Sequence, residues 1–362
     1  MAFLTKKSNL ITVSQDNMSA VFEDFVPKQY HDTDQFLNIV QWNIEWFGAR
    51  KNTERDKKRK KLVTDILAMF NADLFVFQEI AGPSADGRYE GVLDEIADEL
   101  TERGMGDYVV YYTYAGGEQR VAMMWDREFI KAKEEVQDLF DRGTYQKPGK
   151  KDPFAGRTPL YGHFTSRIEA GEAFDKYDFQ VVGLHLKAMA DGVTQRAESA
   201  KILVDYLEKD FQQKTGDILM MGDFNAPPDD KKSWSAFHQL EKKSPEQFKF
   251  TAINDPSDFS YMWLKNMSDK YVSRIDLTAM SLSSELKVGS AGTPVKWKPI
   301  EEAISRAGKI SDKEVRDTMS EIKELISDHL PVLTQFYIED PAVPPTGTQV
   351  KSATKSGRSR RR

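Results

Sequence analysis

The chain has no cysteine among its 362 residues. Disulfides, thiolate metal sites and cysteine nucleophiles are therefore excluded. The composition suits a reducing compartment, so a cytoplasmic protein is expected. No stretch approaches the roughly 18 consecutive apolar residues that cross a bilayer, so no membrane span or membrane partner is expected. The opening MAFLTKKSNLITVSQ lacks the apolar core of a signal peptide. Without thiolates, any metal must be held by Asp, Glu, Asn, His or water. Such oxygen-rich sets suit hard ions such as Mg2+ or Mn2+.

Hydrophobic residues make up 40% of the chain and charged residues 30%, which is enough to build a core. The net charge of −6 is unevenly placed. Residues 351–362 carry six basic groups (Lys351, Lys355, Arg358, Arg360, Arg361 and Arg362) and no acid. The remaining body is correspondingly more acidic. An acidic body does not favour tight non-specific binding of nucleic acid, although a local basic patch can still hold phosphates.

Three segments are expected: an N-terminal extension at 1–35, a catalytic domain at 36–339 and a disordered basic tail at 340–362. FLNIVQWNIEWF from Phe36 is predicted as a buried strand, because apolar residues dominate without turn residues. Leu62, Ile66, Met69 and Phe70 recur at helical spacing and predict a helix after Glu54. DLFVFQEI predicts a second strand, and GVLDEIADELTERG a helix stopped by Gly104. DYVVYYTYA and RVAMMWD predict a strand pair around Gly116 and Gly117. Residues 137–156 are predicted as a loop. Strands are predicted at RTPLYGHFT, DFQVVGLHLKA, DILMMGDFNA, YVSRIDLTAMS and ISDHLPVLTQFYI. A long helix is expected from Thr194, and mostly helix over 300–325. Helices and strands thus alternate, but several strands are neighbours in sequence. That order fits an α/β sandwich of two mixed sheets flanked by helices better than a purely parallel sheet.

Polar clusters end the apolar strands: Asn43, Gln78-Glu79, His185, Asp223 with Asn225, and Asp328-His329. Asp276 is a further candidate within a strand. Polar groups are costly to bury without partners, so such strand ends are expected at a sheet rim, where several can converge on one crevice. Each cluster alone has a plain structural explanation. Gly-Asp-x-Asn makes a good turn, and Ser-Asp-His can cap a loop. His31, His163 and His238 have no catalytic context and are expected to be structural.

Taken together, Trp42-Asn43, Gln78-Glu79, His185, Gly222-Asp223-Phe224-Asn225, Arg274-Ile275-Asp276 and Ser327-Asp328-His329 resemble the motifs of the endonuclease/exonuclease/phosphatase superfamily, which implies its deoxyribonuclease I-like fold, a four-layer α/β sandwich. The resemblance spans about residues 36–339. It implies metal-dependent cleavage of a phosphate ester. By that likeness Glu79 is the principal Mg2+ ligand, with Asn43 beside it and Asp328 a further ligand or histidine-orienting acid. Asp223 and Asn225 orient water and phosphate. His329, held by Asp276, is a general base or phosphate contact. His185 protonates the leaving oxygen or stabilises the transition state, and Arg157 lies near the phosphate. The chemistry of the residue types agrees: carboxylates hold a cation that offsets phosphate charge, histidine exchanges protons near neutrality, and Asn and Arg donate to anionic oxygens.

His185 stands where abasic-site nucleases usually carry a tyrosine motif, so the likeness leans to the deoxyribonuclease I, sphingomyelinase and inositol-phosphatase branches. Ala226-Pro227-Pro228 after Gly-Asp-x-Asn disfavours the inositol branch. The expected activity is that of a nuclease on DNA, with RNA second, as a monomer. The alternative is a phosphoesterase acting on a small-molecule or lipid phosphate. Two basic clusters could track a phosphate backbone: Arg50, Lys51, Arg55, Lys57, Lys58, Arg59, Lys60 and Lys61, and Lys147, Lys150, Lys151 and Arg157. Lys147, Lys150, Arg157 and Arg274 are the candidate substrate contacts.

Overall fold

Strands buried on both faces read as continuous apolar runs, and here two sheets are built from them. The computed structural model describes residues 36–49, 53–84, 90–141, 145, 149–167, 171–210, 217–251, 259–262, 272–281, 287–295 and 297–337. The expected extension at 1–35 and the tail at 340–362 lie outside them. The first sheet has the order β14 (Lys287–Pro294), β15 (Val332–Tyr337), β1 (Phe36–Phe47), β2 (Leu74–Ile80), β4 (Arg120–Asp126), β3 (Tyr108–Tyr112). The second runs β10 (Phe248–Thr251), β13 (Asp276–Ser281), β9 (Asp217–Asp223), β8 (Tyr177–His185), β7 (Leu160–Ser166), β5 (Ile130–Ala132), with β6 (Gln137–Asp138) also on β7. β11 (Tyr261–Met262) pairs with β12 (Val272–Ser273). Both large sheets are mixed: β1–β2 and β8–β9 are parallel, and the other pairs antiparallel.

Alternation along each strand separates three cores. On β1, Val40, Trp42 and Ile44 face helices α1 (Glu54–Phe70), α2 (Val92–Glu102), α5 (Lys298–Ala307) and α6 (Lys313–Leu325). On β8 and β9, Val182, Leu184, Ile218 and Met220 face α3 (Val193–Asp210) and α4 (Ser235–Lys243). The alternate positions, including Leu37, Ile39, Leu74, Val76, Val181, Leu219 and Met221, pack between the sheets. The result is helix, sheet, sheet, helix, the four layers expected. Truncating a fully buried core aromatic such as Phe75 to Ala would cost about 3–5 kcal/mol.

Local chemistry sets the element ends. Thr53 and Asp56 form a reciprocal cap at the start of α1: Asp56 N donates to Thr53 Oγ1 at 3.2 Å, and Thr53 N to Asp56 Oδ2 at 2.8 Å. Gly308 in the left-handed region (φ 81°) ends α5 and divides the helical stretch expected over 300–325. The strand expected from Tyr271 to Ser281 is two strands, because Ser260 Oγ takes the backbone N–H groups of Ile275 and Asp276 at 3.1 and 3.0 Å. The last strand starts at Val332 rather than Ile326. Residues before it are drawn to β1 instead, with Ser327 Oγ donating to Asn43 O at 2.9 Å. The loop expected over 137–156 includes β6. α4, β5, β10, β11 and β14 had no strong periodic signal.

Candidate active site

The polar residues expected at strand ends continue the series that packs between the sheets. Ile39 and Gln41 lead to Asn43, Val181 and Gly183 to His185, and Leu219 and Met221 to Asp223. On antiparallel β13, Met280 and Thr278 lead back to Asp276. Strand pairing makes them neighbours: Asn43 is opposite Gln78, His185 opposite Asp223, and Asp223 opposite Asp276. Each apolar layer thus ends in one shared polar cluster, and Asn43, His185, Asp223, Asp276 and His329 are all buried.

Strict alternation would turn Glu79 away from this cluster. Three residues of β1 lie between Asn43 and Phe47, against one on β2, so the ladder bulges there. Glu79 adopts φ 59°, and Glu45 and Trp46 take φ 31° and 54°. These are costly conformations for side chains with a Cβ, held by the surrounding ladder. The bulge brings Glu79 Oε1 to 3.3 Å from Asn43 Nδ2. Glycine is required nearby at Gly222 (φ 137°), where a Cβ would stand 2.2 Å from Leu184 O.

Asp223 is the centre. Its Oδ2 accepts from Asn43 Nδ2 at 3.1 Å, and its Oδ1 from the backbone N of Asn225 at 2.7 Å. Asn225 (φ 50°) donates through Nδ2 to Leu186 O at 3.0 Å. His185 Nε2 lies 3.6 Å from Asp223 Oδ2 and 3.7 Å from Glu79 Oε1. His329 Nε2 lies 3.9 Å from Asp223 Oδ2. Burial, then the Asp276 charge, pushes the Asp223 carboxyl up to about 7. Burial would lower His329. The Asp276 carboxylate, with Asp223 and Asp328 nearby, outweighs it and raises the imidazole to about 10. Burial, then the Arg157 guanidinium, holds His185 well below the ordinary histidine range.

Arg157 enters the cluster. Its Nη1 lies 2.7 Å from His185 Nε2 and 3.2 Å from Nδ1, and its Nη2 donates to Leu186 O at 2.8 Å. Arg274 is half-buried, and its Nη1 is buried with no hydrogen-bond partner among the described residues. Asp328 Oδ2 takes Lys323 Nζ at 2.6 Å, and its Oδ1 lies 3.9 Å from His329 Nε2. Lys150 is exposed and lines a separate groove with Phe140, Lys151 and Lys209, which none of the catalytic candidates enters. Lys147 lies outside the described residues, as do Arg50 and Lys51. On α1, Lys57 and Lys60 are paired with Glu54 and Glu95, and Arg59 is turned inward. That run is therefore only partly a free cationic face. His163, expected to be structural, pairs with Asp178 at 2.6 Å on the second sheet. Two participants carried no sequence signal. Ser260 anchors the start of β13, and the Tyr261 ring lies against His329 with centroids 4.7 Å apart.

The donor set suits a divalent cation. Glu79 Oε2 and Asp276 Oδ1 are buried without hydrogen-bond partners among the described residues, and three carboxylates crowd one site. Asp223, Asp276 and His329 offer atoms within 4.8 Å of one another. His329 Nδ1 and Asp276 Oδ2 already bond each other, and Asn43 takes the Glu45 backbone N–H on its Oδ1 at 3.1 Å.

A family model described as "Endonuclease/Exonuclease/phosphatase family" matches residues 40–329. The chain belongs to that family. Its fold is similar to three solved structures. The endonuclease/exonuclease/phosphatase from Bacteroides vulgatus is 13% identical with TM-score 0.55, covering 84% of this chain and 99% of that one. A humanized D. rerio TDP2 is 12% identical with TM-score 0.51, covering 83% and 99%. The human nocturnin catalytic domain, with bound sulfate, is 16% identical with TM-score 0.50, covering 86% and 100%. No curated protein sequence matches the chain.

Proposed function

We propose that this protein is a metal-dependent phosphodiesterase acting on nucleic acid, DNA first and RNA second, by in-line attack of water. One observation carries the reading: Asp223 Oδ2 faces Asn43, His185 and His329 within 3.9 Å, with Glu79 adjoining. Mg2+ or Mn2+ held by Glu79 beside Asn43 would neutralise phosphate charge. Asp223, its carboxyl poised near neutrality, takes the proton from the attacking water. His329 is held as an imidazolium by Asp276 and donates to a phosphate oxygen, rather than serving as the base. His185 is neutral. That favours stabilising the transition state, by aligning Arg157, over protonating the leaving group; as the P–O bond to the leaving group breaks, its oxygen takes a proton from solvent water. Arg274 offers its unspent N–H groups to a non-bridging oxygen.

The test is purified protein with Mg2+ or Mn2+ against plasmid, linear duplex, single-stranded DNA and RNA, with an inositol phosphate and sphingomyelin in parallel. Cleavage of nucleic acid, abolished by a chelator, is expected. Hydrolysis of only a small or lipid phosphate would overturn the substrate. Hydrolysis of none would overturn the reaction.

A further inference from the structure

Arg59 belongs to the basic run on α1, yet it is half-buried and its guanidinium reaches inward to backbone carbonyls. Nε donates to Ile326 O at 2.8 Å, and Nη2 to Ile44 O at 2.6 Å and Glu45 O at 2.9 Å. Three of its five N–H donors are thereby spent on backbone carbonyls. Its carbon centre lies 5.5 Å from the Phe47 ring.

The two segments it joins carry opposite halves of the candidate site. Ile44 and Glu45 follow Asn43 directly and form the bulge with positive φ at Glu45 and Trp46. Ile326 opens the connector through Ser327 and Asp328 to His329. They are 282 positions apart, counting from Ile44 to Ile326. Lys323 on α6 crosses the same gap between side chains, with Nζ 2.6 Å from Asp328 Oδ2 and 3.1 Å from Glu45 Oε1.

We propose that Arg59 is a positioning residue. It holds the bulge after Asn43 and the connector before His329 at one spacing, and so sets the reach between the Asn43–Glu79 pair and the His329–Asp276 pair. It does not bind substrate phosphate. The planar fork of arginine suits this role, because two donors meet adjacent carbonyls on one segment while a third reaches the other. The round ammonium of lysine cannot hold that pattern. The catalytic consequence rests on the phosphodiesterase reading, but the clamp itself does not.

The experiment compares wild type, Arg59→Lys and Arg59→Met, with Arg127→Met as a control. Arg127 is exposed and pairs with Asp107 at the far end of the first sheet. Three readouts are taken: kcat and KM on bis(p-nitrophenyl) phosphate and on a DNA oligonucleotide, the salt dependence of KM, and backbone hydrogen exchange. In Arg59→Met, kcat should fall about 10- to 100-fold on both substrates, with KM and its salt slope unchanged. Arg59→Lys should lie between it and wild type. Exchange should quicken at residues 44–47 and 326–329, and the control should change nothing. A raised KM on DNA alone with a flatter salt slope would overturn the proposal in favour of a phosphate contact. Unchanged kcat would overturn it too. If Arg59→Met does not fold, Arg59→Lys and Lys323→Met carry the same test. If wild type cleaves no phosphodiester, the functional reading fails while exchange still decides the clamp: unaltered exchange in Arg59→Lys overturns it.

Discussion

Asp276 Oδ2 stands 2.9 Å from His329 Nδ1, although 53 residues separate them. The bond crosses the sandwich, since β13 belongs to the second sheet and His329 to the connector that leads into the first. It fixes the imidazole by one nitrogen and leaves Nε2 facing Asp223. It also reverses what burial would do to the ring's charge.

Replacing Asp276 by Asn should therefore discharge His329. With the carboxylate gone, burial dominates, and the imidazole should titrate far below its present value of about 10. A proton NMR titration of the histidine ring reads this directly. Turnover should fall about 100-fold or more. An unshifted titration would refute the coupling.

Glu79→Ala should abolish turnover while leaving the fold near intact. The side chain sits at the sheet rim, and its Oε2 bonds nothing among the described residues. Residual activity above a few per cent at saturating Mg2+ would remove Glu79 from its assigned role. A large drop in melting temperature would show that the residue is structural.

His185→Ala and His329→Ala should each cost about 100- to 10,000-fold in kcat. Both face Asp223 within 3.9 Å, so they act on one reacting centre. The double variant should lose little more than the worse single one. Fully additive losses would assign them independent roles.

Asp223 works against stability. Its folded value of about 7 lies above the ordinary 3.8, so the folded protein keeps a proton that the unfolded chain has released. Stability must then fall as pH rises through that window. In chelator, Asp223→Asn should be more stable than wild type at pH 8, by on the order of 2–4 kcal/mol. The gain should vanish below about pH 4. Urea denaturation at a series of pH values checks both sign and window, and a pH-independent difference would refute the argument.

Gly222→Ala should be poorly tolerated, because the new Cβ would stand 2.2 Å from Leu184 O at φ 137°. A loss of about 3 kcal/mol or more is expected in urea denaturation. Near-wild-type stability would mean that β8 and β9 can separate locally.

The main strands and the residues that end them were legible because both follow one rule. A strand buried on both faces must be apolar throughout, so a sudden Asn, Glu, His or Asp marks where it reaches the rim. LFVFQE and LMMGDFN show this at Glu79 and Asp223. Period-two alternation then aims Asn43, His185 and Asp223 between the sheets. Glu79 departs from it, and its aim depends on a bulge that unequal ladder spacing creates. Edge strands such as β5 and β10 gain their form from neighbours, and α4 lacks a long periodic face, so none stood out.

Charge was the least legible property. Lys57, Arg59 and Lys60 look alike in sequence, but two pair with carboxylates and one reaches a carbonyl 267 residues away. Lys150 and Arg157 share a loop, yet one lines an outer groove and the other bonds His185. Amino-acid order alone sets which segments must be buried and which polar groups end them, because burial is a property of each residue and its near neighbours. Which cation meets which anion, and which proton each histidine keeps, depends on distances of a few ångströms between remote segments. Those distances exist only once the two sheets have packed face to face.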